Sequence, residues 1–243
     1  MSFYAQLGIS AAVVAVGSYL LGSISFSIIF SKIFIKEDIR TMGSGNAGTT
    51  NVLRSVGKKA AALTFLFDAL KCVAAVVPTR FFFLYLEKIN TVGPEPTVYV
   101  WAQWAAYLAG FFCMIGHIYP VYFKFKGGKG VVTLAATAAL VDWRVFLICL
   151  GVFILVFLTS RMVSLCSIVG AASYPVATFC MTFFVDYRMG LTPTNYNATY
   201  VIVATAVTLI CAIVIIAKHH TNIKRIVQGT EKKISFHKKK SAT

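Results

Sequence analysis

Charged residues are scarce in this chain, and acidic residues are the scarcest of them. Only 13% of the 243 residues are charged, and eight Asp and Glu residues stand against 23 Lys and Arg residues. The sequence therefore offers no evident pair of carboxylates for acid and base catalysis, and no visible cluster of metal ligands. We expect no metal and no other cofactor.

The six cysteines lack the spacing that marks metal sites and disulfide frameworks. No C-x-x-C pair occurs among them, and no cluster of histidines accompanies them. Both absences argue against a zinc site and against a disulfide-stapled fold. All six lie inside apolar segments and are predicted to be small core residues. They are Cys72, Cys113, Cys149, Cys166, Cys180 and Cys211.

Long apolar runs, in contrast, are plentiful. Hydrophobic residues make up 58% of the chain and the mean hydropathy is +0.77, which is rare in soluble domains. Because a spanning helix needs roughly 20 apolar residues, we predict an all-α polytopic membrane protein with about seven transmembrane helices. The fourth and fifth spans are short and could instead form one re-entrant hairpin. The predicted spans lie near 11–30, 60–85, 98–118, 131–141, 145–160, 162–185 and 200–217.

Basic residues are distributed unevenly among the predicted loops. With the N-terminus outside, eighteen of the 23 lie on the inner side, which predicts a cytoplasmic C-terminus. Residues 1–218 would then form a single transmembrane helical domain with cytoplasmic loops, and residues 219–243 a basic cytoplasmic segment. The formal charge of +15 follows this topology and faces anionic headgroups, so we discount nucleic acid as a partner.

A run of small and polar residues, 43–54, follows the first apolar span. Its three glycines let backbone N–H groups approach a ligand, and its side chains offer donors that suit phosphate oxygens. The alternative is a Gly- and Asn-rich loop without a ligand. The candidate binding residues are Ser44, Asn46, Thr50, Asn51 and Arg54.

A second glycine-rich cluster, 123–130, lies at the inner end of the third span. Gly127 and Gly128 separate Lys126 from Lys129, so the backbone could wrap an anion with Lys129 as a point charge. The spacing is not that of a P-loop. The alternative is a turn whose basic residues meet lipid headgroups.

Two further clusters on the same side carry hydroxyl, imidazole and amide groups. Ser164 and Ser167 follow the fifth predicted span, where bonds to their own helix are the alternative role. His219 and Asn222 stand three residues apart just past the last span. On a continued helix they would share one face and could hold one ligand. The alternative for this run is a topology anchor.

Ionisable residues also occur within the predicted spans. Asp68 and Lys71 are three residues apart, which favours a mutual ion pair that faces the bundle interior. Lys71 could also orient the adjacent loop. His117 is a possible general base, although a histidine bonded to a loop carbonyl is more frequent.

Together these motifs resemble the bacterial acyl-phosphate-dependent glycerol-3-phosphate acyltransferase family, integral membrane enzymes of phospholipid synthesis. The resemblance covers about residues 15–232. Ser25 stands where the family often has proline. Val163 stands where some members carry a second serine, which leaves open whether Ser164 or Ser167 contacts substrate. The matching pieces are 22–24, 43–54, Asp68 with Leu70 and Lys71, Gly116, His117 and Pro120, 125–130, Ser164 and Ser167, and His219, Asn222 and Ile223 with 229–231.

The resemblance implies transfer of a fatty acyl group from acyl phosphate to the 1-hydroxyl of glycerol 3-phosphate. The products would be lysophosphatidic acid and inorganic phosphate, in the committed step of phospholipid synthesis. His219 is the best candidate for a base, with a substrate phosphate as the alternative proton acceptor. The implied catalytic residues are His219, Asn222, Ser164 and Lys129, and the implied binding residues are Ser44, Asn46, Thr50, Asn51, Arg54, Lys126, Gly127, Gly128 and Ser167, with His117, Asp68 and Lys71 in support.

The same resemblance implies a cellular location and a set of binding partners. We expect a multi-pass protein of the bacterial cytoplasmic membrane, with its active site on the cytoplasmic side. The partners would be acyl phosphate, glycerol 3-phosphate, membrane lipid and the acyl-phosphate-forming acyltransferase of the same pathway. The H-x-x-x-x-D motif of acyl-CoA acyltransferases is absent, which argues against that mechanism.

Two other classes of protein remain open from the sequence. Basic pockets and Gly-interrupted helices also occur in transporters, here for a phosphorylated small anion. A lipid-binding scaffold would explain the basic tail. Transporters usually bind their substrate near the midplane of the membrane and often consist of two repeated halves. In this chain the polar clusters gather at one membrane interface, and the sequence shows no internal repeat.

Overall fold

The computed structural model describes residues 3–90, 100–190 and 196–234, and all regular elements in these ranges are helical. The Lys-rich end of the predicted basic segment, 235–243, lies outside the described residues. Short 3₁₀ turns occur at Ile39–Thr41 and Val121–Phe123, and a π-helical segment, Met181–Arg188, extends the eighth helix. The helices are α1 (Phe3–Gly22), α2 (Phe26–Ile35), α3 (Thr49–Ser55), α4 (Lys58–Asn90), α5 (Val100–Ile118), α6 (Val131–Val141), α7 (Trp143–Ser160), α8 (Val163–Cys180), α9 (Ala198–Lys218) and α10 (His220–Val227).

Six helical stretches in the described ranges are long and apolar enough to cross a bilayer. The pair α1 and α2 forms one of them, and α4, α5, α7, α8 and α9 supply the others. The predicted fourth span is α6, which has 11 residues and a length of about 16 Å. This is shorter than the hydrocarbon core of about 30 Å. The all-α membrane architecture is confirmed, while the count of seven spans and the orientation of the termini stay predictions.

The break between α1 and α2 is held by a lysine from another helix. Nζ of Lys71 donates hydrogen bonds of 3.0 Å to the carbonyls of Gly22 and Ile24, where the backbone leaves the helix. The same ammonium pairs with Asp68 at 2.8 Å. Helix α5 packs here so closely that a Cβ on Gly22 would overlap the carbonyl of Cys113. The ion pair within the bundle therefore orders this loop, as the sequence suggested.

Helix α5 lies at the centre of the bundle and packs against α1, α4, α6 and α9. Helix α7 lies at the periphery, where Val145 is its only buried residue. The largest apolar cluster joins α5, α6, α8 and α9 through side chains such as Met114, Leu134, Tyr174 and Ile215. All six cysteines are free.

Salt bridges stabilise one end of the helical bundle. They join Asp142, Arg144 and Asp186, which we call the far cluster. The guanidinium of Arg144 binds Asp142 at 2.8 Å, and binds both carboxylate oxygens of Asp186 at 2.8 and 2.9 Å. Asp142 also caps α7 by accepting from the amide of Arg144. The cluster fixes the turn between α6 and α7 against the π-helical segment that follows α8.

Candidate active site

The polar segments that the sequence analysis singled out meet at the opposite end of the bundle, which we call the site end. They border a cavity of about 720 Å³. From the site end an apolar slot continues between α6, α7 and α8. The polar lining residues include Ser44, Asn46, Thr49, Thr50, Asn51, Arg54, Lys129, Ser164, Ser167, His219, Asn222, Arg225 and Glu231. The apolar lining residues include Val131, Leu134, Ala135, Ala138, Phe146, Cys149, Leu150, Phe153, Ala171 and Tyr174.

Most of the predicted site residues line this cavity, together with Asp68 and His117. Four do not line it: Lys71, Lys126, Gly127 and Gly128. Within the described ranges, no three His, Cys, Asp or Glu side chains lie close enough to hold a metal ion.

Asn51 shapes the polar segment 43–54, which we call the first loop, instead of presenting its side chain to a ligand. Its amide nitrogen lies 3.0–3.1 Å from the carbonyls of Ile39, Met42 and Asn46, and its Oδ1 accepts from the amide of Ser44 at 3.0 Å. Gly43 has φ +56°, and a Cβ there would overlap Asn51 Oδ1. The loop therefore needs both the glycine and the asparagine to hold its curvature.

Thr49 is a candidate binding residue that the sequence analysis missed. Its Oγ1 is buried, has no hydrogen-bond partner among the described residues, and belongs to a residue that lines the cavity. A buried hydroxyl without a partner is costly, so a ligand that enters the cavity is its expected partner. The residue predicted from this motif was its neighbour Thr50, and the sequence alone does not distinguish the two threonines.

Arg40 was also not selected by the sequence analysis. It joins the first loop to the glycine-rich segment 123–130, which we call the second loop. Its Nη1 donates to the carbonyl of Phe123 at 2.8 Å and to that of Lys126 at 3.3 Å. Asp38 holds the other side of the guanidinium at 2.7 Å. The side chain of Lys126 is exposed, so in this loop only Lys129 extends toward the cavity.

Gly127 and Gly128 pack against α5. Their amides donate to the carbonyls of Ile118 and His117 at 3.2 and 3.1 Å, so these N–H groups are already engaged. A Cβ on Gly127 would overlap the carbonyl of His117, and one on Gly128 would overlap its imidazole ring. The geometry gives the two glycines a role in close packing that sets the position of Lys129.

A hydrogen-bonded network connects three of the predicted clusters, and we call it the site network: Lys129, Ser164, Asn222, Arg225 and Glu231. Lys129 Nζ donates to Asn222 Oδ1, and Asn222 Nδ2 donates to Ser164 Oγ at 2.8 Å. Ser164 Oγ donates to Glu231 at 2.6 Å. Burial lowers the pKa of the Lys129 ammonium to about 8, an effect that the nearby Glu231 carboxylate opposes.

Glu231 is a third residue that the sequence analysis did not select, although its motif formed part of the resemblance. The chain turns back at Gly229, where φ is +69°, and Glu231 then accepts from Asn222 at 2.9 Å and from Arg225 at 2.7 Å. Desolvation raises the pKa of this carboxyl, but hydrogen bonds from Ser164, Arg225 and Asn222 outweigh it and lower the pKa overall.

The two serines of the third cluster differ in their hydrogen bonds. Ser167 Oγ donates to the carbonyl of Val163 at 2.8 Å, within its own helix. Ser164 Oγ instead joins the site network. The geometry therefore favours Ser164 as the hydroxyl with a role in the site.

His219 is buried at the end of α9, with 2% of its surface exposed. Its Nδ1 lies 2.8 Å from the carbonyl of Ile215, which can only accept, so Nδ1 carries the proton. Nε2 is then the basic nitrogen of a residue that lines the cavity. Burial lowers the pKa of this imidazole to about 4, so His219 is neutral near pH 7.

A second histidine lies beside the buried ion pair. His117 Nδ1 is 3.0 Å from Lys71 Nζ and 3.5 Å from Asp68 Oδ1. His117 and Asp68 line the cavity, whereas Lys71 lies behind them. These three residues therefore support the cavity wall between the first two loops.

Comparisons with known proteins agree with this architecture. The family model described as glycerol-3-phosphate acyltransferase matches residues 12–229. A relative from Clostridioides difficile (strain 630) with that name is 40% identical over 91% of this chain and 94% of its own length. One from Macrococcus caseolyticus (strain JCSC5402), with the same name, is 37% identical over 91% of this chain and 95% of its own.

Two solved structures have a similar fold. Both are crystal structures of PlsY (YgiH), described as an integral membrane glycerol 3-phosphate acyltransferase, one in its glycerol 3-phosphate form and one in its lysophosphatidic acid form. Their TM-scores are 0.72 and 0.70, at 31% identity, over 93% of this chain and 96% of theirs. This chain belongs to the glycerol-3-phosphate acyltransferase family of integral membrane enzymes.

Proposed function

We propose that this protein transfers a fatty acyl group from acyl phosphate to the 1-hydroxyl of glycerol 3-phosphate. The hydroxyl oxygen attacks the acyl carbonyl carbon and forms an ester bond, while the bond from that carbon to the bridging phosphate oxygen breaks. The electron pair leaves with the phosphate, and the hydroxyl proton goes to a phosphate oxygen. The products are lysophosphatidic acid and inorganic phosphate.

One observation carries this proposal: a single cavity joins a cationic polar end to an apolar slot. Arg54, Lys129 and Arg225 line the polar end, which suits two phosphate groups. The slot between α6, α7 and α8 suits a hydrocarbon chain. A substrate with a phosphate at one end and a long apolar tail at the other fits both parts.

We assign phosphate binding to Arg54 and Lys129, helped by the hydroxyls of Ser44, Thr49 and Thr50. Acyl phosphate already has a good leaving group, so positioning two anions and stabilising the charge on the departing phosphate would supply most of the rate enhancement. Asn222 and Ser164 hold Lys129 in place. Asn46 and Ser167 line the same cavity and are proposed to contribute to its shape.

For the proton we favour the substrate phosphate over His219. A phosphate monoester has a second pKa of about 6, whereas burial lowers the pKa of His219 to about 4. The phosphate oxygen is thus the stronger base. Nε2 of His219 would accept a hydrogen bond from the glycerol hydroxyl and orient it. His219→Gln should then raise KM for glycerol 3-phosphate while turnover persists, and a complete loss of turnover would favour an obligatory histidine base.

We place the site on the cytoplasmic side of a bacterial inner membrane, where both substrates are available. The basic residues on the segments around the site support this orientation. An enzyme that forms acyl phosphate is the expected upstream partner, because the donor is too reactive for long storage. Family membership makes the transporter and scaffold alternatives unnecessary.

The test is an assay of the purified protein in bilayers, with palmitoyl phosphate and glycerol 3-phosphate as substrates. We expect inorganic phosphate and lysophosphatidic acid to appear in equal amounts, and Arg54→Ala to abolish both products. Palmitoyl-CoA replaces the donor in a parallel reaction. Product from palmitoyl-CoA but not from palmitoyl phosphate would overturn the assignment of the donor.

A further inference from the structure

We infer that the closed end of the apolar slot sets the acyl-chain length that this enzyme prefers, through Ala138, Phe146 and Tyr174. The inference rests on the proposed function, because it assumes that the acyl chain occupies the slot. It further assigns Gly170 as the residue that keeps the slot open halfway along its depth.

The depth of the slot follows from helix geometry. Along α8 the lining begins at Val163 and Ser164, beside the site network, and ends at Tyr174. Ten residues separate Ser164 from Tyr174, which corresponds to about 15 Å along the helix. This is about half of a hydrocarbon core that is roughly 30 Å thick, and thus the depth of one lipid leaflet. The slot therefore matches most of the length of an ordinary membrane-lipid chain.

The cavity lining stops on three helices at residues that belong to one apolar cluster. The lining of α6 ends at Ala138, that of α7 begins at Phe146, and that of α8 ends at Tyr174. These residues pack in a single apolar cluster, in which Ala138 and Tyr174 are 4% and 3% exposed. A longer chain would have to displace closely packed side chains or bend back, and both are costly.

Gly170 lies about 9 Å along α8 from Ser164, between the polar end of the cavity and the closed end of the slot at Tyr174. A Cβ there would lie 3.9 Å from the carbonyl oxygen of Cys149 and from two side-chain atoms of Phe153, which is ordinary contact. A larger side chain would have to continue into the slot, because α7 already contacts that Cβ position. Gly170 therefore acts as a specificity-determining residue for long chains.

The experiment is a competition in one reaction mixture. Octanoyl, dodecanoyl, palmitoyl and stearoyl phosphate are supplied together with glycerol 3-phosphate, and the lysophosphatidic acids are measured by mass spectrometry. The product ratio does not depend on how much protein is folded, so partial unfolding of a variant does not hide the result. The variants are Gly170→Leu, Ala138→Val and Tyr174→Ala.

For Gly170→Leu we expect the ratio of dodecanoyl to palmitoyl product to rise about tenfold or more, since one methylene in an apolar pocket changes discrimination by roughly 10- to 200-fold. Ala138→Val should shift the ratio in the same direction by a smaller factor. Tyr174→Ala should raise the stearoyl product relative to the palmitoyl product several-fold. Gly151→Leu on α7 and Val176→Ala on α8 are matched controls outside the lining, and they should keep the wild-type ratios.

Two failures can be told apart. If the wild-type protein forms no product from any of the acyl phosphates, the proposed function is wrong and the inference fails with it. If the wild-type protein is active and the variants at Ala138, Gly170 and Tyr174 keep its product ratios, the proposed function stands and the length-setting role is overturned. The same holds if the control variants shift the ratios as strongly as Gly170→Leu.

Discussion

The site network and the far cluster each contain a buried carboxylate, Glu231 and Asp186, yet they differ in the balance of charge around it. In the far cluster one guanidinium, Arg144, is shared by two carboxylates, and none of its three residues lines the cavity. In the site network two cations, Lys129 and Arg225, accompany one carboxylate, Glu231, and all three residues line the cavity. Arg225 binds that carboxylate directly, whereas Lys129 is linked to it through Asn222. Burial of charge is common to both regions and does not by itself mark function.

The difference lies in what each region can still bind. The far cluster neutralises its own cation, so it stabilises the turn between α6 and α7 and has little capacity for an anion. The site network has an excess of positive charge, next to Arg54 and to the hydroxyl of Thr49, which has no partner in the described part of the chain. An incoming phosphate would balance that excess. Changes at Lys129, Arg144 and His219 test this contrast, with successively smaller effects.

Loss of the Lys129 ammonium should have the largest effect. Lys129→Met removes a cation from the polar end of the cavity, and we expect kcat/KM to fall by about 10²–10³, as for loss of one donor that stabilises developing charge. Steady-state kinetics with palmitoyl phosphate measure the fall. Lys124→Met, an exposed lysine of the same loop, is the matched control and should stay within about twofold of wild type. Equal losses in both variants would contradict a specific role for Lys129.

Loss of the Arg144 guanidinium should affect stability and leave the chemistry intact. Arg144→Met leaves the buried carboxylate of Asp186 without its bidentate partner, and we expect Tm to fall by about 5 to 10 °C. The activity of the folded fraction should stay near the wild-type value. Thermal unfolding in detergent gives the comparison, and the double variant Arg144→Met with Asp186→Asn should recover part of the lost stability. A large loss of kcat with Tm unchanged would place the far cluster in the mechanism.

The smallest effect concerns pH and His219. Its pKa is lowered to about 4 in the folded protein from an ordinary value of 6.5. As pH falls through 6.5, the unfolded chain gains a proton that folded His219 does not take up until about pH 4, so stability is lost across this window. We expect His219→Gln to reduce the drop in Tm between pH 7 and pH 5 by a few degrees.

The neighbouring residue is the natural control for this measurement. His220 is exposed and follows His219 directly, so His220→Gln should keep the wild-type pH dependence of Tm. If the two substitutions flatten the curve equally, the burial of His219 does not govern it.

Local sequence patterns predicted much of the fold. The apolar run at 131–141 has the same bounds as α6, and the other predicted spans match the long helices within a few residues at most boundaries. The spacing of Asp68 and Lys71 predicted their ion pair. These features depend on hydropathy and on residues three or four apart, which a sequence displays directly.

The directions of the site side chains were much harder to predict. Lys126 and Lys129 look equivalent in sequence, but only Lys129 extends to the cavity, because Arg40 and α5 fix the loop between them. Asn51 is directed into its own loop, and Ser167 bonds within its own helix. Glu231 and Thr49 were not selected at all. Their importance depends on contacts with distant residues or on the cavity wall.

Hydropathy and local composition, which act over short stretches, were enough to show that the chain lies in a membrane, where its helices run, and which loops hold donors for phosphate. Helix packing settled which of those donors face one cavity, which shape their own loops, and where the apolar slot ends. The bond from Lys129 to Asn222 joins residues 93 positions apart. No local pattern encodes such a contact, since it exists only when the packed helices bring both loops to the same end of the bundle.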